Sequence, residues 1–314
     1  MVDAAQDAPI EAAPPPPNAT NREKVSHFYW DRLDPIIRYA RRNPPLIFGS
    51  GLLIALLLFV VIGRLVWNEE LYRPLSAPTR QAPSWEYPFG TDTTGRDLLA
   101  VAIKGTPLTM RIGLIAGFAA VSVGTVLAFL AAYYRGWVDL VVRLLVDVGL
   151  TIPPLLILIL IAINVKGGLT VDQMGLAVAT VAWVFPARTI RAQVLVMREQ
   201  SYVELARLSG ASGFAIIFKE MMPNLIPYIT ASFVTSVAAG ILASIGLEAL
   251  GLGPFDSPTL GMTIFWNIQF SSIILGMWWW WLPPIVAIVF VFVGLFLIST
   301  GLDEWSNPRL RQRI

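Results

Sequence analysis

Apolar residues run along this chain in long unbroken blocks rather than alternating with polar ones at a helix or strand period. Leu46 to Gly63 and Trp281 to Thr300 carry no charged residue, over roughly the 18 positions or more that a bilayer-crossing helix requires. Six spans are predicted, at Leu46 to Trp67, Arg111 to Tyr134, Val141 to Ile163, Met174 to Met197, Leu225 to Leu247 and Trp281 to Leu302. Hydrocarbon offers the backbone no hydrogen-bond partner, and no period-2 alternation recurs, so helices are expected rather than a barrel. The fold class is an all-α membrane protein with about six transmembrane helices.

The connections refine this picture. Sixteen of the 23 Lys and Arg residues fall on one side of the six spans: Arg22, Lys24, Arg32, Arg38, Arg41 and Arg42 before the first, Arg135 and Arg143 after the second, Arg188, Arg191, Arg198, Arg207 and Lys219 around the fourth-to-fifth connection, and Arg309, Arg311 and Arg313 at the end. The bias places both termini in the cytoplasm. The loop from Asn68 to Met110 is then external despite Arg73, Arg80, Arg96 and Lys104. Residues 198–224 alternate polar and apolar positions at helical spacing around Gly210 and Gly213, which predicts two short surface helices at an angle. The outer connection from Gly251 to Trp280 opens with Gly251, Gly253, Pro254 and Pro258, an irregular cap, and continues as an apolar stretch along the interface. The chain divides into an Ala/Pro-rich extended tail (1–25), a flank with the first span (26–67), the external loop (68–110), a core transmembrane region (111–302) and a cytoplasmic tail (303–314). The first segment lacks the short apolar core and cleavage site of a secretory signal, so the first span is expected to remain as an anchor.

Of 314 residues, 55% are hydrophobic and 14% charged, with a net charge of +2, which excludes a disordered or nucleic-acid-coating protein. Cys is absent and His27 is the single His, so no thiolate site, Cys nucleophile or His cluster exists, and His27 beside Phe28, Tyr29 and Trp30 reads as an interfacial residue. No G-x-x-x-x-G-K-[ST] loop occurs, and the chain is not expected to hydrolyse ATP. Ionisable residues at membrane depth are the functional candidates. Asp147 lies four residues after Arg143, where the two can pair on one helix face, and Glu248 closes the fifth span as a solvated end or a gate. Pro153, Pro154 and Pro186 are kink positions. Trp278, Trp279, Trp280 and Trp281 read first as an aromatic belt, and the same indoles present faces on which sugar rings stack.

The segment Ser201 to Asn224 is the most informative. Glu204 and Arg207 give a charged face, Ala206 permits close backbone approach, and Gly210 permits a positive-φ turn with Pro223 thirteen positions on. Such a helix-turn-helix suits docking in a partner's cleft as well as it suits an amphipathic linker lying on the bilayer.

The same segment resembles the coupling loop of ATP-binding-cassette importer permeases, whose pattern is E-A-A-x-x-x-G followed by Pro. FGTDTTGRD at Phe89 to Asp97, GWVDLVVRLLVDVGLTIPPLL at Gly136 to Leu156, ARTIRAQVLVMREQSYVELARLSGAS from Ala187, MPN at Met222 to Asn224, GLG at Gly251 to Gly253 and NPRLR at Asn307 to Arg311 resemble the C-type permease of dipeptide and oligopeptide importers, from about the first span to the C-terminus. Leu205, Glu220 and Met222 depart from the usual residues, as does the MWWWWLPP stretch from Met277 to Pro284. The resemblance implies the type I importer permease fold and a homologous sister permease, two ATPase subunits that hold ATP and Mg, and an external substrate-binding protein. It also implies that Glu204, Leu205, Ala206, Arg207, Gly210, Ala211, Pro223 and Asn224 form the ATPase contact. Asp147, Glu248 and Trp278 to Trp281 are candidates for pathway or gate. Peptides are the cargo expected from the resemblance, with oligosaccharides or nickel as alternatives for permeases of this kind. A carrier or channel working without an ATPase is the rival from another class, and an intramembrane enzyme would need a catalytic set that the sequence does not contain.

Overall fold

The computed structural model describes residues 43–306. The Ala/Pro-rich tail, His27 with its aromatic neighbours, the basic residues of the flank and the Asn307 to Arg311 motif lie outside the described residues. Ten helices of eight residues or more occur among the described residues: α1 (Pro44–Val66), α2 (Leu98–Tyr134), α3 (Gly136–Thr151), α4 (Pro154–Asn164), α5 (Val171–Ala182), α6 (Val184–Arg198), α7 (Ser201–Leu208), α8 (Met222–Ala249), α9 (Leu260–Gln269) and α10 (Trp278–Ser306). Among the described residues the extended pairing is confined to one isolated bridge between Thr91 and Asp97. By length and composition four helices suffice to cross a membrane: α1, α2, α8 with its lead-in from Gly213, and α10. They become five when α3 and α4, bent by 84°, count as one broken span, and α5 adds a shorter apolar helix.

Each break has a local cause. Pro153 and Pro154 cannot continue α3, and their fixed φ starts α4 afresh. Pro186 has no N–H to offer the carbonyl of Ala182, and the helix breaks there at Trp183 into α5 and α6. Asn43 caps α1 by accepting from the Leu46 amide, and its side-chain amide donates to Glu304 Oε2 at 2.7 Å. The start of α1 and the end of α10 therefore meet at one end of the bundle, the lower end, which also carries residues 198–224. The opposite, upper end carries residues 68–97 and 250–277.

Helix α2 is the central post, packed on α8, α6 and α5. Between lipid-immersed helices there is no hydrophobic driving force, so close van der Waals packing of small residues has to hold them together. Gly113, Ala116, Gly117 and Ala120 supply it: a Cβ on Gly113 would lie 2.4 Å from Ile241 Cγ1, and one on Gly117 2.9 Å from the Val237 amide nitrogen.

Helix α2 begins 13 residues before the predicted start at Arg111, so the upper loop ends at Asp97 and not at Met110. Lys104, Gly105 and Pro107 interrupt the apolar pattern there, yet these turns are enclosed by protein and not by lipid. The FGTDTTGRD motif builds the joint. Asp92 accepts from the Thr94 amide (2.7 Å), the Thr94 hydroxyl (2.8 Å), the Arg96 amide (3.0 Å) and Arg96 Nε (2.7 Å), while Asp97 caps α2 through the Leu99 amide and accepts from Trp67 Nε1. Burial pushes the Asp97 carboxyl above its ordinary value, against the opposing effect of the Trp67 indole.

Candidate functional site

The lower end presents the turn that the sequence singles out. Helix α7 is anchored by Val203, fully buried among Val194, Ile216, Ile217, Met221 and Leu225. The rest of α7 faces outward, with Leu205 63% and Leu208 78% exposed. It ends in a Schellman arrangement: the Gly210 amide donates to the Arg207 carbonyl and the Ala211 amide to the Ala206 carbonyl, both at 3.1 Å, with Gly210 at φ +80°. The positive φ expected at Gly210 is present. Ser212 then accepts from the Ala215 amide and starts the next helical segment.

That segment is not a separate surface helix. Gly213–Ala215 runs through the π-helical turn Ile216–Met221 directly into α8, so the second predicted arm is the stem of the fifth span. The Phe214 and Phe218 rings lie 4.3 Å apart, tilted by 36°, and both are exposed. Tyr202, Leu205 and Leu208 of α7 are exposed as well, as are Glu204, Arg207 and Lys219, while Ala206 is half-buried and Ala211, Pro223 and Asn224 are exposed. Exposed apolar surface of this kind, with charge around it, is suited to a protein partner. No cluster of three or more His, Cys, Asp or Glu placed to hold a metal exists among the described residues.

Comparison with known proteins bears on the same region. The family described as "Binding-protein-dependent transport system inner membrane component" matches residues 124–312, from the later turns of α2 past the 198–224 turn and beyond α10. This chain belongs to that family. It is 30% identical over 265 residues to the dipeptide transport system permease protein DppC of Bacillus subtilis (strain 168), covering 84% of this chain and 82% of that one. It is 27% identical over 272 residues to the protein of the same name from Alkalihalophilus pseudofirmus, with 86% and 88% covered. The chain is thus a multi-pass inner-membrane transport subunit.

The other candidates of this permease are placed as follows. Asp147 is exposed on α3 between exposed Leu144, Leu145 and Val148. The expected Arg143–Asp147 pair does not form: Arg143 Nη2 turns the other way along α3, to Asp139 Oδ2 at 3.1 Å. Asp139 also receives Arg191 from α6, and both its oxygens are used. The sequence reading missed Asp139, although Asp139 and Asp147 stand four residues either side of Arg143 and the spacing allows both partners.

Glu248 is neither solvated nor free-standing. It is fully buried at the upper end of α8, where Oε2 accepts from the Thr259 hydroxyl at 2.6 Å. A Cβ on Gly261 would lie 2.1 Å from that oxygen, so the first turn of α9 sits directly on the carboxyl group. The Leu260 amide donates to Thr109 Oγ1 at 2.9 Å, which ties the same turn to α2. Helix α9 is accordingly a seated cap with Leu260, Met262 and Asn267 buried, not a helix lying along the interface.

The four Trp residues start α10 and point in different directions. Trp280 is buried and stacks on Phe270 at 6.0 Å, Trp279 Nε1 donates to the Thr91 carbonyl at 3.3 Å, and Trp278 is half-exposed. They do not present one stacking edge. Trp278 and Trp279 instead border an apolar cavity of about 470 Å³ together with Phe59, Phe89, Pro283 and Phe290.

Proposed function

We propose that this permease translocates peptides by alternating access, in an assembly with a homologous sister permease, two ATP-binding subunits that hold ATP and Mg, and an external substrate-binding protein. The observation that carries the reading is the Gly210 turn with its exposed Leu205, Leu208, Phe214 and Phe218. Exposed apolar side chains at the end of a membrane bundle have neither lipid nor core to cover them, and an ATPase cleft supplies the cover. Glu204, Leu205, Ala206, Arg207, Gly210, Ala211, Pro223 and Asn224 form this contact. The lower end is the cytoplasmic one, as the Lys and Arg bias requires. Peptide cargo is supported by the dipeptide permeases to which the chain is similar.

ATP binding favours the closed ATPase pair. Closure moves the docked turns, and the bundle exchanges inward-facing for outward-facing; such coupling requires only that ATP bind one global state better than the other. The reading of the pathway rests on Asp147. A carboxylate exposed among leucines at membrane depth needs water or a cation opposite it, so the α3–α4 face meets the sister permease across the aqueous route. Glu248 serves the outer gate by holding α9 as a lid on α2 and α8.

The test is recovery of the assembly from mildly solubilised membranes, followed by screening of the recovered binding protein against short peptides and oligosaccharides. A sister permease, ATPase subunits and a peptide-preferring binding protein are expected. Recovery without any ATPase, under conditions that keep other importers whole, contradicts the reading, and preference for oligosaccharides contradicts the cargo alone.

A further inference from the structure

Helix α3 is set off from its neighbours in the chain by a break at each end. It leaves α2 through Arg135 at φ 55° and Gly136 at φ 63°, a positive-φ joint where a Cβ added to Gly136 would meet nothing within 4 Å. It passes into α4 through Pro153 and Pro154 at the 84° bend. Between these joints the exposed face carries Trp137, Leu140, Leu144, Leu145, Asp147 and Val148. The inner face has one apolar contact, Val142 and Val146 against Val184 and Ala187 of α6 and Ala131 of α2.

One charged contact supplements it. Arg191 of α6 donates to Asp139 through Nε (2.6 Å to Oδ1) and Nη2 (2.8 Å to Oδ2), and Arg143 adds a third bond to Oδ2. The Asp139 and Arg191 side chains are only 13% and 21% exposed. A forked guanidinium–carboxylate pair fixes orientation as well as distance, which a hydrophobic contact does not. Arg191 lies two helical turns before the end of α6, and α7 starts three residues beyond that end. At the same corner Arg198 Nη1 donates to the Ala132 carbonyl at 3.2 Å and Arg135 pairs with Glu199.

We propose that Asp139 and Arg191 are positioning residues that make α3 move with α6 and the Gly210 turn, so that displacement of the turn is delivered to the α3–α4 face instead of being absorbed at the Arg135–Gly136 joint. The inference rests on the importer reading and adds to it the residues that connect the turn to the pathway. The packing of Val142 and Val146 fixes the distance of α3 from α6, and the forked pair adds the orientation.

The chain has no native Cys, so Leu140→Cys on α3 and Val196→Cys on α6, both exposed, give two unique sites for spin labels. The test uses the complete assembly in nanodiscs and proteoliposomes, with and without Asp139→Leu/Arg191→Leu. Removing both charges together strands neither of the two buried ions, and Arg143, which also loses Asp139, is exposed and has Asp147 four residues on. The expected result is a 140–196 distance that is single and equal in nucleotide-free and ATP-bound states of the parent. In the double variant it broadens and depends on nucleotide, and cargo transported per ATP hydrolysed falls about tenfold with ATP hydrolysis retained.

The proposal is overturned by normal transport per ATP in the double variant, by a 140–196 distance that changes with nucleotide in the parent, or by loss of assembly in the double variant, which would assign the pair to folding. A parent assembly that shows no ATP-driven transport overturns the importer reading itself, whereas a coupled parent with a normally coupled double variant overturns this proposal alone.

Discussion

At Gly210 the backbone closes one helix and aims the chain into the next, and its φ of +80° is where an L side chain clashes. A β-branched residue held there costs about 1–3 kcal/mol. Gly210→Val should therefore leave membrane insertion unchanged and displace α7, lowering recovery of ATPase subunits with the complex by roughly tenfold; Gly210→Asn, which tolerates this region better, should lose less. Normal recovery with the Val variant removes Gly210 from the contact. Asp97 makes a prediction about pH. Its carboxyl titrates above the ordinary range because burial disfavours the charged form. A folded-state value raised above the unfolded one means that the stabilisation is complete below the unfolded value and is lost as pH rises through the folded one. The thermal stability of the parent relative to Asp97→Asn should accordingly increase as pH falls from neutral towards the carboxylate range. A difference that stays flat across that range contradicts the assignment.

At the scale of elements, α7 depends on one side chain. Val203 is fully buried while most of its helix is exposed, so Val203→Ala removes about 1–2 kcal/mol of local hold. Amide exchange across Ser201–Leu208 should accelerate roughly tenfold while the spans stay protected. Uniform acceleration, or none, would show that the turn is held by something else. Elements bathed in lipid were the readily legible ones: α1, α8 and α10 lie within a few residues of the predicted spans because a lipid-facing helix has to be apolar along its length. The upper turns of α2 were illegible for the converse reason, since Lys104 contacts Glu69 and Tyr72 inside the protein cap and needs no apolar surroundings. The loop before them was legible as a motif, but Asp92 and Asp97 show their work only once the chain folds back on itself. Asp139 was hidden because its main partner, Arg191, is 52 residues away, beyond any helical spacing. Likewise the run of four Trp suggested one edge, whereas a helix turns successive residues about 100° apart and divides them among core, loop and surface.

For the whole molecule, the two ends have different constructions. The upper end is tied by buried polar bonds, Glu248 to Thr259 and Thr109 to Leu260, which suits a cap that moves as one piece. The lower end is tied by Arg191, Arg198 and Arg135 to the α2–α3 corner and leaves apolar side chains uncovered, which suits delivery of a push from outside. The central claim is that this push comes from ATP and moves peptide across the membrane. It is tested most directly by uptake of a labelled dipeptide into proteoliposomes containing the purified assembly with its binding protein. Uptake that requires both ATP and the ATPase subunits, and that falls in step with ATPase recovery in Gly210→Val, is the predicted result. Uptake that persists with the ATPase subunits removed would contradict it.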